Sequence, residues 1–183
     1  MIHFVLGGAR SGKSRFAEQQ ISALAEKQGK QAVYIATATA IDTEMGSRIS
    51  QHQRDRGDGW QLIECPLALA ETLTDLDNNN VYLLDCLTLW LNNQLYNVHE
   101  ASSTEQGQHL QSKIDILTAQ LTAIDVDIVI VSNEIGLGVV PMGESTRLYV
   151  DYCGWLNQKI AEISDKVTLV TAGIPLCIKS IIE

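Results

Sequence analysis

The chain has 183 residues, enough for one domain with a sizeable core, and 45% hydrophobic against 19% charged residues excludes a disordered chain, a collagen and a coiled coil. Its formal charge of −9, from 13 Lys+Arg against 22 Asp+Glu, argues against holding nucleic acid or anionic lipid through the overall field, so that only a local basic site remains. No apolar run reaches the ~18–20 residues of a membrane span, and the start, MIHFVLGGARSGKS, lacks the basic opening and cleavage site of a signal peptide.

From the N-terminus, residues 3–6 (HFVL) form a short apolar run of strand length. Residues 13–27 carry Phe16, Ala17, Ile21, Leu24 and Ala25 at helical steps. A second strand follows at 32–36, a polar helix at 43–56 with only Met45 and Ile49 apolar, and a short strand at 61–63. Residues 81–84 make another strand and 86–96 a helix. A helix at 105–123, a β-branched strand at 127–131, a helix at 144–163 and a strand at 167–171 complete the set. Residues 77–80 and 97–108 read as surface loops, and Pro66, Pro141 and Pro175 each fall near an element boundary. Continuous rather than alternating apolar strands indicate a sheet covered on both faces. Strand–helix alternation with right-handed crossovers predicts a P-loop-type α/β fold, a mainly parallel sheet with helices on both faces, over a single domain 1–183.

Cys65, Cys86, Cys153 and Cys177 form no C-x-x-C and stand at no zinc-ligand spacing to a histidine. They read as reduced, small apolar side chains of a cytoplasmic protein.

The first strand runs into Gly7-Gly8-Ala9-Arg10-Ser11-Gly12-Lys13-Ser14, which fits G-x-x-x-x-G-K-[ST]. Glycines let successive amides turn inward as an anion nest, and the helix starting at Lys13 adds its N-terminal donors. Lys13 can reach the β- and γ-phosphates and Ser14 can ligate Mg²⁺. The bland alternative is a glycine-rich strand–helix turn, but the strand and helix context that the phosphate reading requires is present on both sides. Such proteins also need an acid on a neighbouring strand to hold the metal, and the run at 81–85 ends in Asp85. Capping of the following helix is a compatible second role for that carboxylate. Asn133 and Glu134, and Thr37 and Thr39, end other strands on the same rim, outside which open α/β sheets bind ligands.

Arg48, His52, Arg56 and Trp60 follow at i+4 steps, with Glu64 at the same interval and Arg54 nearby. The first three share one face of the polar helix. Guanidinium groups match phosphate oxygens, and a histidine between two arginines is held neutral and nucleophilic. A solvated helix face explains the same spacing without function. His3, at the start of a buried strand, and His99 and His109, beside a polar loop, read as structural.

With these residues in view, the chain resembles the bifunctional adenosylcobinamide kinase / adenosylcobinamide-phosphate guanylyltransferase family of cobalamin biosynthesis. The resemblance runs along nearly the whole chain: the phosphate loop, Y-I-A-T-A at 34–38, Glu44-Met45, R-I-x-x-H ending at His52, Arg56, Trp60, Glu64, D-C-L-T-L-W-L at 85–91 and S-N-E-I-G-L-G-V-V-P at 132–141. It implies that His52 becomes guanylylated and that Gly7, Gly8, Ala9, Arg10, Ser11, Gly12, Lys13 and Ser14 bind GTP phosphates. It also implies GTP contacts at Ala36, Thr37, Ala38, Gln53, Arg54, Asp55, Arg56, Glu64 and Asp85. Some relatives carry Glu in place of Asp85. The implied activity is phosphorylation of adenosylcobinamide by ATP or GTP, then GMP transfer from GTP through a guanylyl-histidine, with Lys13 and His52 catalytic and Mg²⁺ on Ser14 and Asp85. The implied setting is a cytoplasmic homo-oligomer, a trimer, with a corrinoid substrate and no nucleic acid or membrane span. The rival readings are a plain P-loop small-molecule kinase, in which His52 is idle, and a non-catalytic GTP switch, for which no N-K-x-D-type guanine motif is present.

Overall fold

The computed structural model describes residues 1–39 and 59–181. The polar helix expected at 43–56 lies outside them. Twelve elements follow in order among the described residues: β1 (Ile2–Gly7), α1 (Lys13–Gln28), β2 (Gln31–Ala36), β3 (Gln61–Glu64), α2 (Leu69–Thr74), β4 (Asn80–Asp85), α3 (Leu87–Asn97), α4 (Ser103–Ala123), β5 (Asp127–Asn133), α5 (Glu144–Ile163), β6 (Lys166–Thr171) and β7 (Ile174–Ser180).

The strands form one sheet ordered β3-β2-β4-β5-β1-β6-β7. All pairs are parallel except β6–β7, which is antiparallel. The four central strands are apolar and buried along most of their length, as a sheet covered on both sides requires. One face packs Phe4, Ile35, Leu84 and Ile130 under four helices. Leu69 comes from α2, Trp90 and Leu91 from α3, Leu110, Ile114 and Leu117 from α4, and Leu156 from α5. The other face packs Val5, Tyr34, Leu83 and Val131 under Ala17 and Ile21 of α1. Helices thus cover both faces, α1 on one and α2 to α5 on the other. No helix among the described residues is long and apolar enough to cross a membrane.

Several expectations change. The acid-bearing strand β4 is not beside β1, because β5 lies between them. α4 begins at Ser103, two residues before the expected helix start at 105, so the loop expected at 97–108 narrows to residues 98–102. Ser102 accepts from the Glu105 amide while the Glu105 carboxylate accepts from the Ser102 amide, a capping box spelled S-x-x-E. β7 and the short α2 are additions to the expected set, and Pro175 falls one residue inside the start of β7, near an element boundary as expected. The edge position of β7 tolerates a proline, since an edge strand has one unpaired side. Finally, the cap of α3 is Cys86 and no side chain caps it, so Asp85 has no capping role.

Candidate active site

Parallel register brings the strand ends to one rim: Gly7 pairs with Asn133, and Ala36 pairs with both Asp85 and Glu64. At Gly7 a Cβ would lie 2.4 Å from the Ser11 hydroxyl and 2.5 Å from the Val170 carbonyl, so only glycine lets the loop fold back over β1. Gly12 has a φ of 93°, in the left-handed region that favours glycine. The loop closes through the Ser11 amide to the Gly8 carbonyl (3.2 Å). It is braced from outside by two amides, Glu134 to the Gly7 carbonyl (3.1 Å) and Gly173 to the Ser11 carbonyl (2.8 Å).

Lys13 and Ser14 open α1, where helix amides have no intrahelical acceptor and present positive dipole ends. Lys13 is buried, and its ammonium donates to the Gly8 carbonyl (3.2 Å), which holds the charge over the loop. Ala9 and Arg10 are exposed at the loop tip, and the Ser11 hydroxyl is buried without a partner among the described residues. This is a cradle for phosphate oxygens.

Asp85 ends β4, partly buried. Asp85 and the cradle stand on the same rim, at the ends of β4 and β1 with β5 between them. Burial first, and then the Asp85 charge, push the Cys86 thiol up to about 11, so Cys86 stays protonated and inert. Among the described residues no three His, Cys, Asp or Glu side chains gather as a metal site. A magnesium ion held by one hydroxyl, one carboxylate and substrate phosphates needs no such cluster, so Ser14 and Asp85 fit that kind of site.

Thr37 is fully buried, with its hydroxyl turned onto the Cys86 peptide rather than outward. Ala36 and Ala38 are partly buried beside it, and Glu64 is exposed at the end of β3. β3 stands four strand spacings from β1, roughly 19 Å at ~4.8 Å each. The expected contacts therefore fall into two groups, the cradle and the β2–β3 end, with Asp85 between. His52, Gln53, Arg54, Asp55 and Arg56 lie outside the described residues.

Sequence reading missed the supports of this rim. The Asn133 side-chain amide donates to the Thr88 hydroxyl (2.8 Å), Tyr149 donates to the Thr88 carbonyl (2.8 Å), and Asn157 donates to the Asn133 carbonyl (3.2 Å). The β6–β7 turn, with Ala172 and Gly173 both at positive φ, supplies the Gly173 brace; its Ala-Gly pair between apolar runs was the available signal.

A family model described as "Cobinamide kinase / cobinamide phosphate guanyltransferase" matches residues 3–178. The "Bifunctional adenosylcobalamin biosynthesis protein CobP" of Pseudomonas aeruginosa is 46% identical over 180 residues, 98% of this chain and 98% of that protein. The "Bifunctional adenosylcobalamin biosynthesis protein CobU" of Salmonella typhimurium is 36% identical, over 98% of this chain and 100% of its own. The protein of the same name from Escherichia coli is 34% identical over the same shares. Matched from end to end by these relatives and carrying the phosphate cradle in place, the chain belongs to the cobinamide kinase / cobinamide phosphate guanyltransferase family.

Proposed function

We propose that this chain performs both reactions of its family as one domain, 1–183, using a nucleotide bound at the cradle and a guanylyl-histidine at His52. The observation that carries the reading is the cradle itself, with Lys13 held over it and Asp85 across β5. In the kinase step a corrinoid hydroxyl oxygen bonds to the γ-phosphorus of ATP or GTP, its proton is released, and the bond to the β-phosphate oxygen breaks. Lys13 and the loop amides stabilise the charge that spreads over the phosphoryl oxygens. Magnesium, held by Ser14 and Asp85, supplies further charge neutralisation when bound.

In the transferase step a neutral imidazole nitrogen of His52 bonds to the α-phosphorus of GTP, and pyrophosphate leaves. A phosphate oxygen of the phosphorylated corrinoid then takes the GMP, and the P–N bond breaks to restore His52. Arg54 and Arg56 suit phosphate oxygens, and Gln53 and Asp55 complete the contacts that the family resemblance implies. A GTP with its triphosphate towards the cradle and its guanosine towards Ala36, Ala38 and Glu64 touches both groups of residues, with Thr37 contributing only from within.

The free thiols at Cys65, Cys86, Cys153 and Cys177 suit a reducing compartment, in keeping with work in the cytoplasm. β7 exposes Ile174, Leu176 and Ile178 on an edge strand, which supports a homo-oligomer, a trimer by resemblance, that covers it.

The test is His52→Ala. It should leave corrinoid phosphorylation near the wild-type rate and reduce GMP transfer to background. Intact mass spectrometry of the wild type with GTP and Mg²⁺, corrinoid withheld, should show one acid-labile, alkali-stable GMP per chain, absent from the variant. GMP on another residue, or unchanged transfer by His52→Ala, would leave a different nucleophile, and a wild type that takes up and transfers no GMP would leave the plain kinase.

A further inference from the structure

We infer that Thr37 is a positioning residue for the Asp85 carboxylate, acting through the peptide that follows it; the inference rests on the reading of Asp85 as a metal-holding residue. Thr37 comes immediately after β2, whose last residue, Ala36, is in register with Asp85. Its amide donates to the Asp85 carbonyl (3.2 Å), and its hydroxyl accepts from the Cys86 amide (2.8 Å). Both polar ends of the peptide joining Asp85 to Cys86 are therefore held by one residue. The same hydroxyl donates to the Cys86 carbonyl (2.7 Å). One proton and two lone pairs allow a hydroxyl to donate and accept at once.

The clamp is itself anchored. The Asn93 side chain of α3 donates to the Thr37 carbonyl (2.9 Å) and to the Pro66 carbonyl (3.1 Å), and the Cys65 amide donates to the Ala36 carbonyl (2.7 Å). Thr37 is 0% exposed, and its hydroxyl is taken up by the Cys86 amide and carbonyl. Fixing the plane of the peptide after Asp85 fixes the direction in which its carboxylate leaves the strand. Groups that orient a metal-holding side chain in this way commonly change metal affinity by about 10- to 100-fold when removed.

Thr37→Val keeps the shape and removes both hydroxyl bonds; Thr37→Ser keeps them. The readout is the affinity for α,β-methylene-GTP, which resists attack at the α-phosphorus, measured by calorimetry with Mg²⁺ and with EDTA. Thr37→Val should lower the gain that Mg²⁺ confers by about 10-fold and leave the EDTA affinity within about twofold, with Thr37→Ser close to wild type. The Mg²⁺ requirement of corrinoid phosphorylation should rise in parallel, with the KM for the corrinoid unchanged. If Asp85→Asn loses the gain while Thr37→Val keeps it, the positioning role is overturned and the Asp85 reading stands. If Asp85→Asn keeps it too, the Asp85 reading is what fails. Should Thr37→Val not fold, Thr37→Ala, which also removes both hydroxyl bonds, replaces it; an unchanged gain there overturns the inference equally.

Discussion

His3 shows how much one buried side chain can set. Its Nε2 shares a 2.9 Å hydrogen bond with the Thr168 hydroxyl across the β1–β6 pair. Burial, and then the Lys166 charge, lower its pKa from 6.5 to about 4. Between those values the unfolded histidine binds a proton that the folded one refuses, so stability falls as pH drops through that window and levels off below it. The slope is at most about 1.4 kcal/mol per pH unit. His3→Gln removes the titration and keeps a polar group near Thr168. Urea unfolding near pH 7 and near pH 4.5 should show the wild type losing more stability than the variant, by at least about 1 kcal/mol; equal losses would contradict the buried, neutral state. That His3 is structural was legible from its place in an apolar strand. That Thr37 faces inward was not, because the partner that turns it, Cys86, is 49 residues away.

Among the elements, the joint between β1 and α1 depends on one missing Cβ. Gly7→Ala would press against the Val170 carbonyl, a backbone atom of β6 that cannot yield without moving the strand. It should cost about 1–3 kcal/mol, as overpacking does. Gly8→Ala meets nothing within 4 Å and should stay within about 0.5 kcal/mol of wild type in the same urea titration. Equal effects of the two substitutions would refute the packing account. Elements with a local signature were readable: apolar strands, the helical spacing of α1, and α5, whose bounds match the expectation. The start of α4 was placed two residues late, although Ser102 and Glu105 carry a capping signature. β7 was not readable, because its apolar residues are exposed on an edge and its pairing with β6 sets its conformation.

For the molecule as a whole, strand order decides how far apart the chemical groups stand. Asp85 reaches the cradle region only across β5, and Glu64 sits at the far edge of the parallel strands. The opposite edge, β7, leaves Ile174, Leu176 and Ile178 exposed. Light scattering on the eluting protein should give three times the 20.1 kDa chain mass. Leu176→Glu should shift that mass towards one copy, because burying a carboxylate in an apolar contact is costly. A wild type that stays at the mass of one chain would overturn the oligomer.

The phosphate loop, the apolar strands that demand a doubly covered sheet, and the acid at the end of β4 are each written in adjacent residues, so local geometry alone makes them legible. The family, too, was legible from blocks spread along the chain. Folding had to settle which strand stands between cradle and acid, that Thr37 clamps the Asp85–Cys86 peptide, and that Asn133, Thr88, Tyr149 and Asn157 form one support. Those depend on contacts between residues tens of positions apart, which hydrophobic packing of the whole sheet creates and no local pattern encodes.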